Sequence, residues 1–250
     1  MFTSARQAVT WREAGMISEK QRIYEVIENS TNFKPLSRDK SHSTLTGEPV
    51  FLWVGRLNSN KDPLTVLEGF AQASRDLPNP HLFMIYSSTE LLDAVKSIIQ
   101  RLNLSDHVHL LGKQPHERLE ALFVEADYFL LGSHEEGSGF ALLEALACGV
   151  TPIVTDIPSF RHITGDATVG ALWAPGDPQS LASAIRLVVS RKSDRDATRK
   201  FFEECLSFRA LGEKALQAYS DAYSIRNNMS MKAESSIVDV LETSPSLENS

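Results

Sequence analysis

The stretch PVFLWVGRLNSNKDPLTVLEGF, residues 49–70, decides the fold. Its first part, PVFLWVGR, is a short unbroken apolar run. It reads as a strand buried on both faces, as in a parallel sheet. The second part starts with Asp62 and Pro63. An aspartate can accept hydrogen bonds from first-turn amides, and a proline at the first helical position loses no intrahelical bond, so the pair marks a helix start. Leu64, Leu67, Phe70 and Ala71 then recur at helical spacing on one face. The stretch is thus a buried strand, a polar loop and an amphipathic helix in succession.

The same alternation continues outward. HLFMIY, HVHLLG, DYFLLG and VTPIVTD read as further strands, and TVGALWAP as a sixth. Between them lie helical stripes: Leu91, Leu92, Val95, Ile98, Ile99 and Leu102, then Leu119, Leu122, Phe123 and Ala126. GDPQSLASAIRLVVS repeats the Asp-Pro helix start, with Leu181, Ala184, Ile185 and Val188 facing inward. Strands alternating with helices predict an α/β fold, a Rossmann-like doubly wound parallel sheet. Ligands of such sheets bind beyond the carboxyl ends of the strands. The loops to watch are therefore 55–62, 86–90, 111–116, 131–139 and 155–159.

Composition sets outer limits. A net charge of −7 opposes general attraction to nucleic acid or to an anionic membrane. Two cysteines, Cys148 and Cys205, form no disulfide framework and suit a reducing cytoplasm. No apolar run approaches a membrane span, and the N-terminus lacks a signal-peptide core. The organisation predicted is a helix and a polar linker over 1–48, the alternating domain over 49–190, two helices over 191–225, and a Ser-, Asn- and Glu-rich tail over 226–250 that reads as disordered.

Two loops carry the chemistry. Arg56 leaves the first strand and Lys61 follows five residues on, two cations at the ligand edge suited to a diphosphate. Taken alone they are equally well two solvated charges. The second loop is HEEGSGFALLEALACG, residues 134–149. Gly137 and Gly139 permit close backbone approach, and the first-turn amides after them can receive an anion or a hydroxyl. Glu136 precedes the turn, where a carboxylate reads hydroxyls or a cation. Glu144 lies inside the helix, among residues apolar on nearly every side. A charge there needs a partner, and a vicinal diol such as a ribose can be one.

VGRL, Lys61, LLG, S-x-x-E-G-x-G and LLEALACG-x-x-P-I-V occur in this order, and together they resemble the donor-binding half of retaining GT-B glycosyltransferases of family 4 (group 1). Two glutamates with seven residues between them, Glu136 and Glu144, match that family's paired-glutamate motif. The resemblance covers roughly residues 49–190. It implies a metal-independent hexosyl transfer from a nucleotide-sugar with retention of configuration, the departing phosphate assisting front-face attack. No cofactor is implied. By position, Arg56 and Lys61 would stabilise the leaving diphosphate, and Glu136 would contact the sugar. Gly55, Gly137, Ser138, Gly139, Phe140 and Ala141 would line the donor site. Glu144 would hold the ribose, with Gly112 and Lys113 beside the base. The acceptor is unspecified.

The sequence departs from that pattern in two places. Many relatives have a Gly-Gly-x-x-Glu turn after the fifth strand, and here the chain reads TDIPSFRHIT, leaving the roles of Ser159, Arg161 and His162 open. Two-domain relatives also begin with an acceptor-binding domain, of which FTSARQAVTW resembles only the end. The N-terminal acceptor domain is thus expected to be missing from this chain and to lie elsewhere, including in a separate polypeptide. The alternative reading is a nucleotide-sugar-binding module, or half of a split transferase, with no activity of its own. Three features invite other readings. Asp194-Arg-Asp196 copies a metal motif of another transferase fold but sits in a solvated charge run. His107 and His109 share a strand face with no third ligand in view. His134 lies near the sugar loop.

Overall fold

The computed structural model describes residues 5–24, 27, 30–34 and 44–242. Residues 35–43 of the predicted linker, and the end of the predicted tail at 243–250, lie outside them. The chain forms two units, one ending at Leu211 and the other beginning at Gly212.

In chain order the first unit holds helix α1 (Ala5–Glu13), strand β1 (Val50–Gly55), a 3₁₀ turn (Ser59–Lys61), α2 (Pro63–Ser74), β2 (His81–Tyr86) and α3 (Leu92–Arg101). Next come β3 (Val108–Gly112), α4 (His116–Glu125), β4 (Tyr128–Leu131), α5 (Phe140–Ala147), β5 (Thr151–Thr155) and α6 (Pro158–Thr164). The chain continues through β6 (Ala171–Trp173), α7 (Pro178–Arg191), α8 (Arg195–Cys205) and the long α9 (Phe208–Glu242). Both Asp-Pro starts behave as the sequence predicts. Asp62 accepts from the Thr65 amide at 3.2 Å, and Asp177 accepts from Gln179 at 2.9 Å and Ser180 at 3.1 Å.

All five strand pairings are parallel, in the order β3-β2-β1-β4-β5-β6. The order reverses beside β1, which pairs with β2 on one side and β4 on the other. Loops leaving β1 and β4 run to opposite faces there, and a crevice opens between them. β4 and β5 are buried along their whole length, which fits the apolar run YFLL and the apolar centre of TPIVT. Helices α2, α3 and α7 pack together, as do α4, α5 and α8, and the two groups flank the sheet. Gly69 allows α2 to approach α7: a Cβ there would lie 2.7 Å from the Leu181 side chain.

Helix α8 supports the far end of α5. The guanidinium of Arg195 donates to the carbonyl of Ala126 at 2.6 Å and to that of Cys148 at 2.7 Å, so it caps the C-terminal ends of α4 and α5 together. Arg199 donates to the Ala147 carbonyl and, at 3.3 Å, to that of Phe33. Cations at helix C-termini offset the negative pole of the dipole.

Two elements differ from expectation. The TDIPSFRHIT segment, of which only 155–159 is marked as a loop and the rest is given no element, forms α6, with Pro158 in its first turn and Gly165 ending it at φ 60°. Residues 226–242, expected to be disordered, continue α9. No glycine or proline interrupts residues 213–242, so helix propensity outweighs the polar composition. Among the described residues no helix is long and apolar enough to cross a membrane.

Candidate active site

Arg56 follows the last residue of β1, is exposed, and has no ion-pair partner among the described residues. Lys61 ends the 3₁₀ turn, and its Nζ pairs with Oε1 of Glu136 from the loop after β4. Only 15% and 13% of the two side chains are exposed. Charges so far removed from water need each other. The hydroxyl of Ser133 donates to the same Oε1 at 2.8 Å. Ser133 is fixed in turn from β5, because the Thr155 hydroxyl donates to its carbonyl.

The two loops are joined through their backbones as well. Asn60 Nδ2 donates to the Glu135 carbonyl at 3.0 Å, and the Glu135 amide donates back to Asn60 Oδ1 at 3.0 Å. The His134 amide donates to the Asn60 carbonyl at 2.8 Å, and the His134 ring lies 3.1 Å from Asp62 Oδ2. Gly132 makes the close approach possible: a Cβ there would meet Val66 at 2.8 Å and the carbonyl oxygens of Lys61 and Asp62 at 3.1 Å.

Gly139 turns the chain into α5 at φ 59°, and a Cβ there would sit 3.0 Å from Ile163 and 3.3 Å from Phe160. No side chain caps the helix. The Leu142 amide donates to the Gly139 carbonyl at 3.0 Å, so the amides of Phe140 and Ala141 are left to water or a ligand, at the positive end of the dipole. Leu142, Leu143, Ala145, Leu146 and Ala147 are buried in the core. Phe140, half exposed, Ala141 and Glu144 form the stripe that faces outward into a cleft. The helix is thus not closed on all sides, as its composition suggests. Glu144 lies on its one open stripe. Burial raises the Glu144 carboxyl to about 7, and no described residue offers it a hydrogen bond or a cation.

The cleft has a volume of about 450 Å³ and lies over the switch point. Of the residues singled out from sequence, it brings together Gly55, Arg56, Lys61, Lys113, Glu136, Ser138, Gly139, Phe140, Ala141 and Glu144. Gly137 lies next door, in a hollow bordered by Arg56, Asn60, Glu135 and Glu136. Gly112 does not line the cleft. At φ 65° it turns the chain at the end of β3 so that Lys113 and Gln114 reach it. Tyr86, Ser87, Gln114 and Leu119 also line the cleft and escaped the motif reading. Tyr86, Ser87 and Gln114 sit at the carboxyl ends of β2 and β3, inside or at the edge of loops that the strand-end rule marks.

The open assignments separate. Ser159, buried, borders a hollow shared with His134, Glu135 and Glu136. Arg161 is engaged elsewhere, paired with Asp156 and, at 3.1 Å, with Asp166. His162 does not border the cleft. Asp194 caps α8, accepting from the Ala197 amide at 2.9 Å. His107 and His109 are joined by a third histidine that the strand pattern does not reveal: His81 Nδ1 lies 2.7 Å from His109 Nε2. Among the described residues no three His, Cys, Asp or Glu side chains are arranged to hold a metal ion.

The fold and cleft define a Rossmann-like domain whose cleft straddles the sheet's switch point. Residues 37–204 match the family model "Glycosyl transferases group 1", and the chain belongs to that family. It is 29% identical over 152 residues to a GDP-mannose:cellobiosyl-diphosphopolyprenol alpha-mannosyltransferase of Xanthomonas campestris, covering 60% of this chain and 40% of that protein. Among solved structures it resembles a sucrose-phosphate synthase of Thermosynechococcus elongatus, at TM-score 0.71 and 21% identity over 90% of this chain and 58% of the other. It also resembles Anabaena HepE in complex with UDP and glucose, at TM-score 0.59 and 18% identity over 69% and 48%. At such identities the two structures share the fold. The chain spans about half the length of the curated relatives it matches.

Proposed function

We propose that this chain provides the donor site of a glycosyltransferase, which moves a hexosyl group from a nucleotide-sugar with retention and without a metal or other cofactor. One observation carries the reading. Arg56, the Lys61–Glu136 pair, the uncapped start of α5 and the unpartnered Glu144 all face one cleft. A nucleotide-sugar needs this set in this order.

Arg56 and Lys61 neutralise the diphosphate and stabilise it as it leaves. The amides at the start of α5 receive phosphate or sugar oxygens. Glu136, anchored at one oxygen by Lys61 and Ser133, offers its other oxygen to the sugar hydroxyls. Glu144 accepts from both ribose hydroxyls, and Lys113, Gln114 and Leu119 border the base. Retention follows from the family resemblance, with the departing phosphate on the same face as the incoming hydroxyl. The neighbour bound to UDP and glucose and the relative named for GDP-mannose support a nucleotide-sugar of either base. The reading places the chain in the cytoplasm.

Calorimetric titration with a panel of nucleoside diphosphates and their sugars tests this. Saturable binding that survives EDTA and is weakened by Arg56→Ala is expected. Absence of binding across the panel refutes the donor site, and loss of binding in EDTA refutes metal independence. The same groups would serve a binding module, so turnover with added acceptor distinguishes that reading.

A further inference from the structure

Lys61 and Glu136 stand 75 positions apart, in the loops that follow two different strands. An ion pair between flexible side chains does not fix the backbones that carry them. Asn60 does. Its amide both donates to and accepts from the backbone of Glu135, at 3.0 Å each way. A side chain thereby imitates the paired bonds of neighbouring strands. The backbone carbonyl of Asn60 takes the His134 amide at 2.8 Å, a third bond between the loops that does not depend on the side chain. Asn60 directly precedes Lys61, and Glu135 directly precedes Glu136. The bridge is one residue from each acting group. Asn60 borders the side hollow with Arg56 and Gly137 and does not line the main cleft.

We infer that Asn60 is a positioning residue, setting the distance between the loop that bears Arg56 and Lys61 and the loop that bears Glu136 before any ligand arrives. The inference rests on the donor-site reading above. A register set in advance spares the ordering entropy that binding would otherwise cost. Asparagine supplies both the donor and the acceptor that the Glu135 peptide requires. Alanine supplies neither, and glutamine carries the amide one methylene too far.

The test uses the full chain in four forms: wild type, Asn60→Ala, Glu136→Gln and the double variant. UDP and GDP are titrated by calorimetry, and hydrogen exchange at the Glu135 amide is followed without ligand. Glu136→Gln releases Lys61 and removes a negative charge near the diphosphate, so it should tighten binding about 10-fold. Asn60→Ala should weaken binding about 5- to 10-fold. In the Asn60→Ala background the gain from Glu136→Gln should shrink to within about 2-fold, because the loops are no longer held in register. Exchange at Glu135 should quicken. An equal gain in both backgrounds, or wild-type affinity in Asn60→Ala, would overturn the inference. Asn60→Gln covers the case in which the alanine variant does not fold; wild-type behaviour there would also overturn it. If the wild type binds neither nucleotide, the donor-site reading fails. The exchange measurement still decides whether Asn60 fixes the loops, and unchanged exchange would count against it.

Discussion

Glu144→Gln should make the protein more stable and a poorer binder. The carboxyl lies on the one open stripe of α5 without a partner, and burial lifts it from 4.5 to about 7. A folded-state value above the unfolded one means that the folded protein holds the proton more tightly. The favourable contribution is fully present below about 4.5 and is lost as pH rises through about 7. Above pH 7 the folded protein carries an unpaired, partly desolvated charge. The full shift is worth up to about 3 kcal/mol. The carboxylate faces an open cleft, and solvent screening reduces this to about 1–2 kcal/mol. Glutamine keeps the shape without the charge. At pH 8 its melting temperature should exceed the wild type's by about 3–6 °C, a range fitting a domain of some 200 residues. At pH 4.5 the two should coincide. Nucleoside diphosphate affinity at pH 8 should fall about 10-fold, because a neutral amide accepts at only one oxygen. In the wild type, binding should release protons between pH 6 and 7, since ribose hydroxyls favour the ionised carboxylate. Thermal melts and calorimetry in buffers of different ionisation enthalpy give both readouts. A Glu144→Gln variant no more stable than wild type at pH 8, with unchanged affinity, would refute the placement of an unpaired carboxylate in a nucleoside site.

Three further outcomes follow from the same structure. Arg56→Ala should weaken UDP or GDP binding about 10- to 100-fold while barely changing affinity for the bare nucleoside, checked by calorimetry; equal losses would remove the diphosphate role. Glu136→Gln should abolish most transfer to an added acceptor even as it tightens nucleoside diphosphate binding, which kinetics and titration separate. Burial, and then the neighbouring imidazoles, holds His81 and His109 below the usual histidine value, so their contribution to stability is present above about pH 6.5 and is lost as pH falls below it. This slope opposes that of Glu144 and is best read by melts in the Glu144→Gln background, where adding His81→Gln should flatten it.

The order of strands and helices was legible because each strand is a short apolar run and two helices begin with Asp-Pro. The charged members of the site were legible as motif residues at strand ends. Glu144 shows where the reading stops. Its apolar neighbours suggest burial all round, but burial depends on which stripe of α5 the sheet leaves uncovered, and only tertiary packing decides that. Asn60 was invisible for another reason. Its partner is the peptide of Glu135, and a bond to backbone leaves no trace in the partner's residue type. The His81–His109 contact depends on the register of β2 against β3, where Phe83 lies opposite His109, and no local pattern sets that register. Helix α6 went unseen because seven residues are too few for a periodic signal.

The double cap made by Arg195 separates what the cleft is made of from what it needs. Among the described residues Glu144 is the last in sequence to line the cleft, yet Arg195, which ties down the carbonyl of Cys148 one turn beyond it, comes 47 residues after Cys148. A chain ended after α7 would keep the whole ligand-lining set and forfeit both guanidinium anchors on α5. The helix whose first turn opens on the cleft would then be free to slide or fray from its far end. Trimming this protein to its binding surface removes the part that keeps that surface in place.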